Sequence, residues 1–224
     1  MNCIYIDIET IPALSPEIRD LVAQTVKPPA AMKKAETIAA WEANDKAQAI
    51  EEALAKTSLD GAYGSIYCIG AAFNDLEPVV IRASSEQGIL REFCAWSDEV
   101  LNAGRAAAPV LVGHNIINFD IRFIWQRAII LGVQMPRWFP RDPKPWSGDV
   151  FDTMLAFAGQ RNTIGMDRLC SVLGFPGKGN IDGSMIGKMY AEGRHDEIAA
   201  YCIADVERTR KIHQRMQIAF GEAA

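Results

Sequence analysis

The sequence lacks several features that would otherwise decide its class. It has no apolar run near the roughly 18 residues a membrane span needs. Its first apolar stretch has no basic region ahead of it and already carries an acid, Asp7, so the N-terminus does not read as a secretory signal. Cysteines number five, an odd count with no C-x-x-C pair. That speaks against a disulfide framework or a zinc site and for a reducing compartment, the cytoplasm. Positive charge is not in surplus: the formal net charge is −5. An association with nucleic acid would therefore run through a local basic patch or through metal ions. No internal repeat and no low-complexity tract is visible. The glycine-rich segment 174–183 contains Lys178 but not the G-x-x-x-x-G-K-[ST] spacing, which excludes a nucleotide-binding P-loop. Of the three histidines, His195 and His213 read as helix-surface residues, and His114 is not expected to be a metal ligand.

What is present is an ordinary globular composition, 49% apolar over 224 residues. That suffices for one α/β domain, taken as residues 1–224. Residues 13–60 stand apart, rich in Ala, Lys and Glu with a Pro28-Pro29 break. They read as a helix over 16–25 and one or two more up to about 56. Apolar positions are sparse there (Met32, Ile38, Trp41, Ile50, Leu54), as in an arm laid over a core. Elsewhere strand signals fall at 3–8, 65–73, 79–83, 109–113 and 148–152, with a hairpin turn over 74–78. Helical spacing covers 85–101, 118–130, 153–158, 166–173, 184–192 and 196–220. Three antiparallel strands, then two reached through helices, predict a mixed five-stranded sheet flanked by helices.

The informative residues are acids in expensive places. Asp7 and Glu9 lie two apart at the end of the first strand and so share a face. Two carboxylates held side by side among apolar neighbours would repel each other, and a hard divalent cation such as Mg²⁺ removes the conflict. The segment Gly113-His114-Asn115-Ile116-Ile117-Asn118-Phe119-Asp120 joins a strand to a helix. On its own it reads as an Asn118 N-cap with Asp120 favoured by the helix dipole. In the last helix Tyr201 and Asp205 lie four apart, on one face, beside an apolar stripe at Ile198, Cys202, Val206, Thr209, Ile212 and Met216. Asp152 reads as the N-cap of the helix over 153–158.

In order and residue type these three segments resemble the three motifs of the DEDD exonuclease superfamily, in its tyrosine-bearing DEDDy branch. The similarity is to the proofreading exonuclease domain of family-B DNA polymerases and to the stand-alone predicted exonucleases related to it. Asp7-Ile8-Glu9-Thr10 matches the first motif. The second is matched by 113–120, with Asn115 and Asn118 ahead of Phe119-Asp120, and the third by Tyr201 and Asp205. The histidine-bearing branch would place His where Ala200 stands. The resemblance implies a ribonuclease-H-like fold and metal-dependent 3′–5′ exonuclease chemistry with two divalent cations, Mg²⁺ or Mn²⁺. It implies Asp7 bridging both ions, Glu9 and Asp205 on the water-activating one, Asp120 on the other, and Tyr201 orienting the attacking water. A phenol is too weak an acid to be the general base near neutrality. The expected substrate is single-stranded DNA. The alternatives are a 3′–5′ exoribonuclease of the same fold or a catalytically silent nucleic-acid-binding module. A haloacid-dehalogenase-type phosphatase would want D-x-D where Glu9 stands.

The resemblance also implies substrate contacts near the first two motifs, at Thr10, Ile11, Asn115, Asn118 and Phe119. They are also expected from residues 122–146, which interleave Arg122, Arg127, Arg137, Arg141 and Lys144 with aromatic residues. Cations among aromatics suit a single strand, with phosphates paired and bases stacked. Lys178 is a further candidate for a phosphate.

Overall fold

The computed structural model describes residues 2–102, 107–177 and 179–222. β1 (Cys3–Ile11) is apolar on both faces: Ile4, Ile6 and Ile8 enter one core cluster, Cys3 and Tyr5 another. A strand of this kind belongs at the centre of a covered sheet. It runs three residues beyond the expected 3–8. Then come α1 (Pro16–Thr25), α2 (Ala35–Asn44) and α3 (Lys46–Lys56), followed by a 3-10 turn, Thr57–Leu59. Ser15 caps α1 through its hydroxyl, with Pro16 at the first turn.

The chain returns to the sheet as β2 (Ser65–Phe73) and β3 (Val79–Ile81). Their hairpin turn is pinned by Asn74, whose φ is +50°, whose side chain accepts from the Cys3 N–H and whose own N–H donates to the Cys3 carbonyl. Next are α4 (Glu86–Val100), β4 (Val110–Gly113), α5 (Asp120–Leu131), β5 (Val150–Asp152) and α6 (Thr153–Ala158). The chain closes with α7 (Met166–Leu173), α8 (Ile186–Ala191) and α9 (His195–Phe220).

Among the described residues five strands form one sheet in the order β3-β2-β1-β4-β5. β1 is antiparallel to β2 and parallel to β4, and β4 is parallel to β5. The Ile4–Ile6–Ile8 face packs under α4 and α5, through Leu90, Phe93, Ile121, Phe123 and Ile124. The opposite face carries α8 and α9, through Ile186, Met189, Ile198, Tyr201 and Cys202. Gly70 lets α9 sit close: a Cβ there would fall 2.8 Å from both Cys202 Sγ and Val206 Cγ2.

Three expectations are corrected by packing. His213 is buried, not on the surface; its Nδ1 lies 3.1 Å from the Tyr5 hydroxyl and its ring 4.5 Å from that of Phe151. Asn118 is not an N-cap: α5 begins at Asp120, and its preceding residue, Phe119, makes no side-chain cap. Arg127 is no part of a basic surface. It is buried and forked onto Glu86, with Nε–Oε1 2.8 Å and Nη2–Oε2 2.7 Å, and it also donates to the Gly61 carbonyl.

Candidate active site

β4 pairs with β1 only from Cys3 to Tyr5, so β1 continues past its parallel neighbour. The gap beyond is where a parallel sheet admits a ligand, next to strand ends. Asp7 and Glu9 fall there. They share the parity of Cys3 and Tyr5 and hence face the α9 side. A register irregularity between Glu9 and Thr10 shifts the ladder with β2 beside the acids, and pairing resumes at Thr10 with Ile66.

The loop after β4 fills the rest of the gap and is tightly held. Asn115 takes a φ of +63°. Asp152, 5% exposed, accepts from the N–H groups of Asn115 and Ile117 as well as capping α6 through Met154 and Leu155. The expected cap is thus also the brace of the second motif. His114 Nε2 lies 2.9 Å from the Ile164 carbonyl, which can only accept, so that nitrogen carries a proton; Nδ1 lies 2.9 Å from the Thr153 hydroxyl. The loop delivers Asp120 to the start of α5, where its Oδ1 accepts from the Ile8 N–H at 3.1 Å, between Asp7 and Glu9. From the other side, α9 delivers Tyr201 and Asp205, 6% and 2% exposed.

These pieces line one pocket of about 170 Å³: Asp7, Glu9, Thr10, Phe119, Asp120, Tyr201 and Asp205. It also contains Ile8, Leu59, His114 and Gly183, which sequence reasoning did not assign to the site. Ile11, Asn115, Asn118, Arg137, Arg141 and Lys144 are not among its lining residues. Lys178 lies outside the described residues. Arg208 was also missed: its Nη1 donates to Asp205 Oδ1 at 2.7 Å and its Nη2 to the Gly177 carbonyl at 2.9 Å. The signal was available, since three residues on one helix make neighbours.

One group of side chains here is placed so that it could hold a metal ion. Carboxylate oxygens of Asp7 and Glu9 and Cys202 Sγ lie within 4.8 Å of one another. Hydrogen bonding with Cys68, then burial and the nearby carboxylates, push the Cys202 thiol well up.

The basic stretch is more heavily used internally than its composition implies. Arg122 and Lys144 both pair with Asp142, at 3.8 and 2.7 Å. Arg141 lies 5.8 Å over the Trp125 ring. Phe123 and Phe139 are core, Trp138 packs against it, and Trp146 is 75% exposed. Arg122, Trp125, Gln126, Ile129 and Arg141 line a separate surface cavity.

With the geometry in view, comparison with known proteins is specific. Residues 75–223 match the family described as a predicted 3′-5′ exonuclease related to the exonuclease domain of PolB. No curated protein matches the chain. Among solved structures, the family B DNA polymerase from the hyperthermophilic archaeon Pyrobaculum calidifontis shares the fold, with a TM-score of 0.59 at 15% identity. The match covers 98% of this chain and 25% of that one, so the chain spans about a quarter of the polymerase's length. The mixed five-stranded sheet flanked by helices is accordingly ribonuclease-H-like. No helix among the described residues is long and apolar enough to cross a membrane.

Proposed function

Because this chain belongs to the family of predicted 3′-5′ exonucleases related to the PolB exonuclease domain, we propose that it removes nucleotides from the 3′ end of single-stranded DNA by DEDDy-type, two-metal hydrolysis. One observation carries the reading: Asp7, Glu9, Asp120, Tyr201 and Asp205, from three distant segments, line a single pocket. Asp7 would hold both ions, Glu9 and Asp205 one, and Asp120 the other. Divalent cations supply, when bound, electrostatic stabilisation of the attacking and leaving oxygens of an in-line displacement. The protein's own work is positional. The Ile8 N–H fixes Asp120, Asp152 braces the loop that carries it, and α9 seats Asp205 deep in the pocket. The Tyr201 hydroxyl orients the attacking water and passes no proton as a base.

Thr10 and Phe119 line the pocket and would meet the terminal nucleotide, with Ile11, Asn115 and Asn118 close by in sequence. Arg137 and Arg141, with Lys144 and Lys178, would meet phosphates further along the strand. The 224 residues act as one unit with the arm as an insertion. Five cysteines held as thiols fit the reducing cytoplasm.

The test is digestion of end-labelled DNA and RNA, single- and double-stranded, with Mg²⁺ or Mn²⁺. Stepwise shortening from the 3′ end of single-stranded DNA is expected. It should stop with chelator and fall by at least about a hundredfold in Asp7→Ala and Asp205→Ala, with the far-ultraviolet spectrum unchanged. Undiminished digestion by both variants refutes the site.

A further inference from the structure

We propose that the last turn of the helical insertion is part of the substrate site, and that Leu59 is its contact for the base of the terminal nucleotide. The assignment rests on the nuclease reading above and adds a residue from outside the three motifs.

Leu59 is 70% exposed, yet it lines the same pocket as the four carboxylates. A leucine left in water forgoes the gain of burial, and among the described residues Leu59 belongs to none of the core clusters. Its backbone is held unusually firmly for so exposed a side chain. The Thr10 hydroxyl, one residue past Glu9, donates to the Ser58 carbonyl at 2.6 Å. Thr57, itself buried, accepts from the Ala13 N–H at 2.8 Å and donates to the Leu54 carbonyl at 2.6 Å. Two residues on, the Gly61 carbonyl is gripped by Arg127, which its fork onto the half-buried Glu86 holds in place. The chain then doubles back so tightly that a Cβ at Gly64 would fall 2.4 Å from the Thr57 carbonyl oxygen. The turn is thus tied to β1 beside the acids and to α5 beyond them, and its free product is one apolar side chain presented to an acidic pocket.

An occupant has to satisfy both characters. A phosphodiester reaches the carboxylates through cations, and something flat and apolar reaches Leu59 and Phe119. The base of the nucleotide being removed meets that description: its face is apolar, and it is joined to the scissile phosphate through one sugar.

The experiment compares two 3′-labelled DNA strands, one ending in a normal nucleotide and one in an abasic residue, across wild type, Leu59→Ala, Leu59→Met and Leu76→Ala. Leu76 is 58% exposed on the β2–β3 hairpin and does not line the pocket. Wild type is expected to show a KM about tenfold higher for the abasic end. Leu59→Ala should raise KM about tenfold for the normal end only, with kcat within about twofold. Leu59→Met and Leu76→Ala should behave as wild type. If wild type degrades both strands and Leu59→Ala keeps the same ratio between them, the Leu59 assignment falls alone. If wild type degrades neither, the nuclease reading falls and this assignment with it.

Discussion

Arg208 deals with a charge problem at Asp205. A carboxylate 2% exposed is costly without a partner, and Arg208, only 17% exposed itself, supplies one at 2.7 Å while holding the Gly177 carbonyl. Truncating one member of such a pair removes part of what compensates the other's buried charge. Arg208→Ala should therefore lower the metal-free unfolding free energy by about 3 kcal/mol, and added Mn²⁺ should raise its melting temperature by more than in wild type. Equal metal-induced shifts in thermal melts of the two proteins would remove Arg208 from this role. Tyr201→Phe separates orientation from binding: turnover should fall about tenfold or more while calorimetric Mn²⁺ affinity is unchanged. The acids were legible because each motif places them by local spacing, and Asp152 because a cap is a local device. The Glu86–Arg127 fork was not. Its members lie 41 residues apart, and no periodicity announces a long-range pair, so Arg127 was counted with the surface cations it sits among in sequence.

At the scale of elements, the site depends on how closely α9 lies on the sheet. Asp7 pairs across the ladder with Gly70, and Gly70 is where Cys202 and Val206 of α9 press in. Gly70→Ala should displace α9 and with it Tyr201 and Asp205. We expect about 2 kcal/mol less stability in urea melts and a Mn²⁺ affinity weakened about tenfold, a coupling that a purely structural glycine would not produce. The same helix carries His213 against Tyr5. Burial lowers its pKa from 6.5 to about 4. As pH falls below 6.5 the unfolded chain takes up this proton before the folded one does. Stability is full above 6.5 and is lost progressively down to pH 4, about 3 kcal/mol in all. His213→Phe should flatten that part of a pH–stability profile; parallel profiles would assign the acid loss elsewhere. The burial of His213 was readable, since it stands four beyond Thr209 and three before Met216, both on the buried stripe. Strand and helix bounds were legible to within a few residues because hydrophobic periods of two and 3.6 decide them. The start of α5 at Asp120 without an Asn118 cap was not legible, because the loop's backbone is set by Asp152 and the Asn115 conformation and not by Asn118.

For the molecule as a whole, the helical insertion behaves as a closed excursion. It leaves just after β1 and returns where the Thr57 hydroxyl accepts from the Ala13 N–H at 2.8 Å, so its two ends touch. The buried residues of its three helices, Val22, Trp41 and Leu54, belong to none of the core clusters of the sheet. α1 and α2 both pack against α3, and the sheet closes its own core without them. An excursion whose ends already meet adds little loop-closure entropy when shortened. Replacing residues 15–55 by a short Gly-Ser linker, with 56–64 kept, should therefore leave a cooperative melt within a few degrees of the full chain, on the order of 1 kcal/mol. What should change is selection of the strand, because the excursion stands beside the turn that bears Leu59. We expect the shortened protein to digest single strands at near-normal kcat while losing discrimination against duplex ends. Collapse of the melt would instead make the three helices part of the folding core, contrary to where their buried side chains lie.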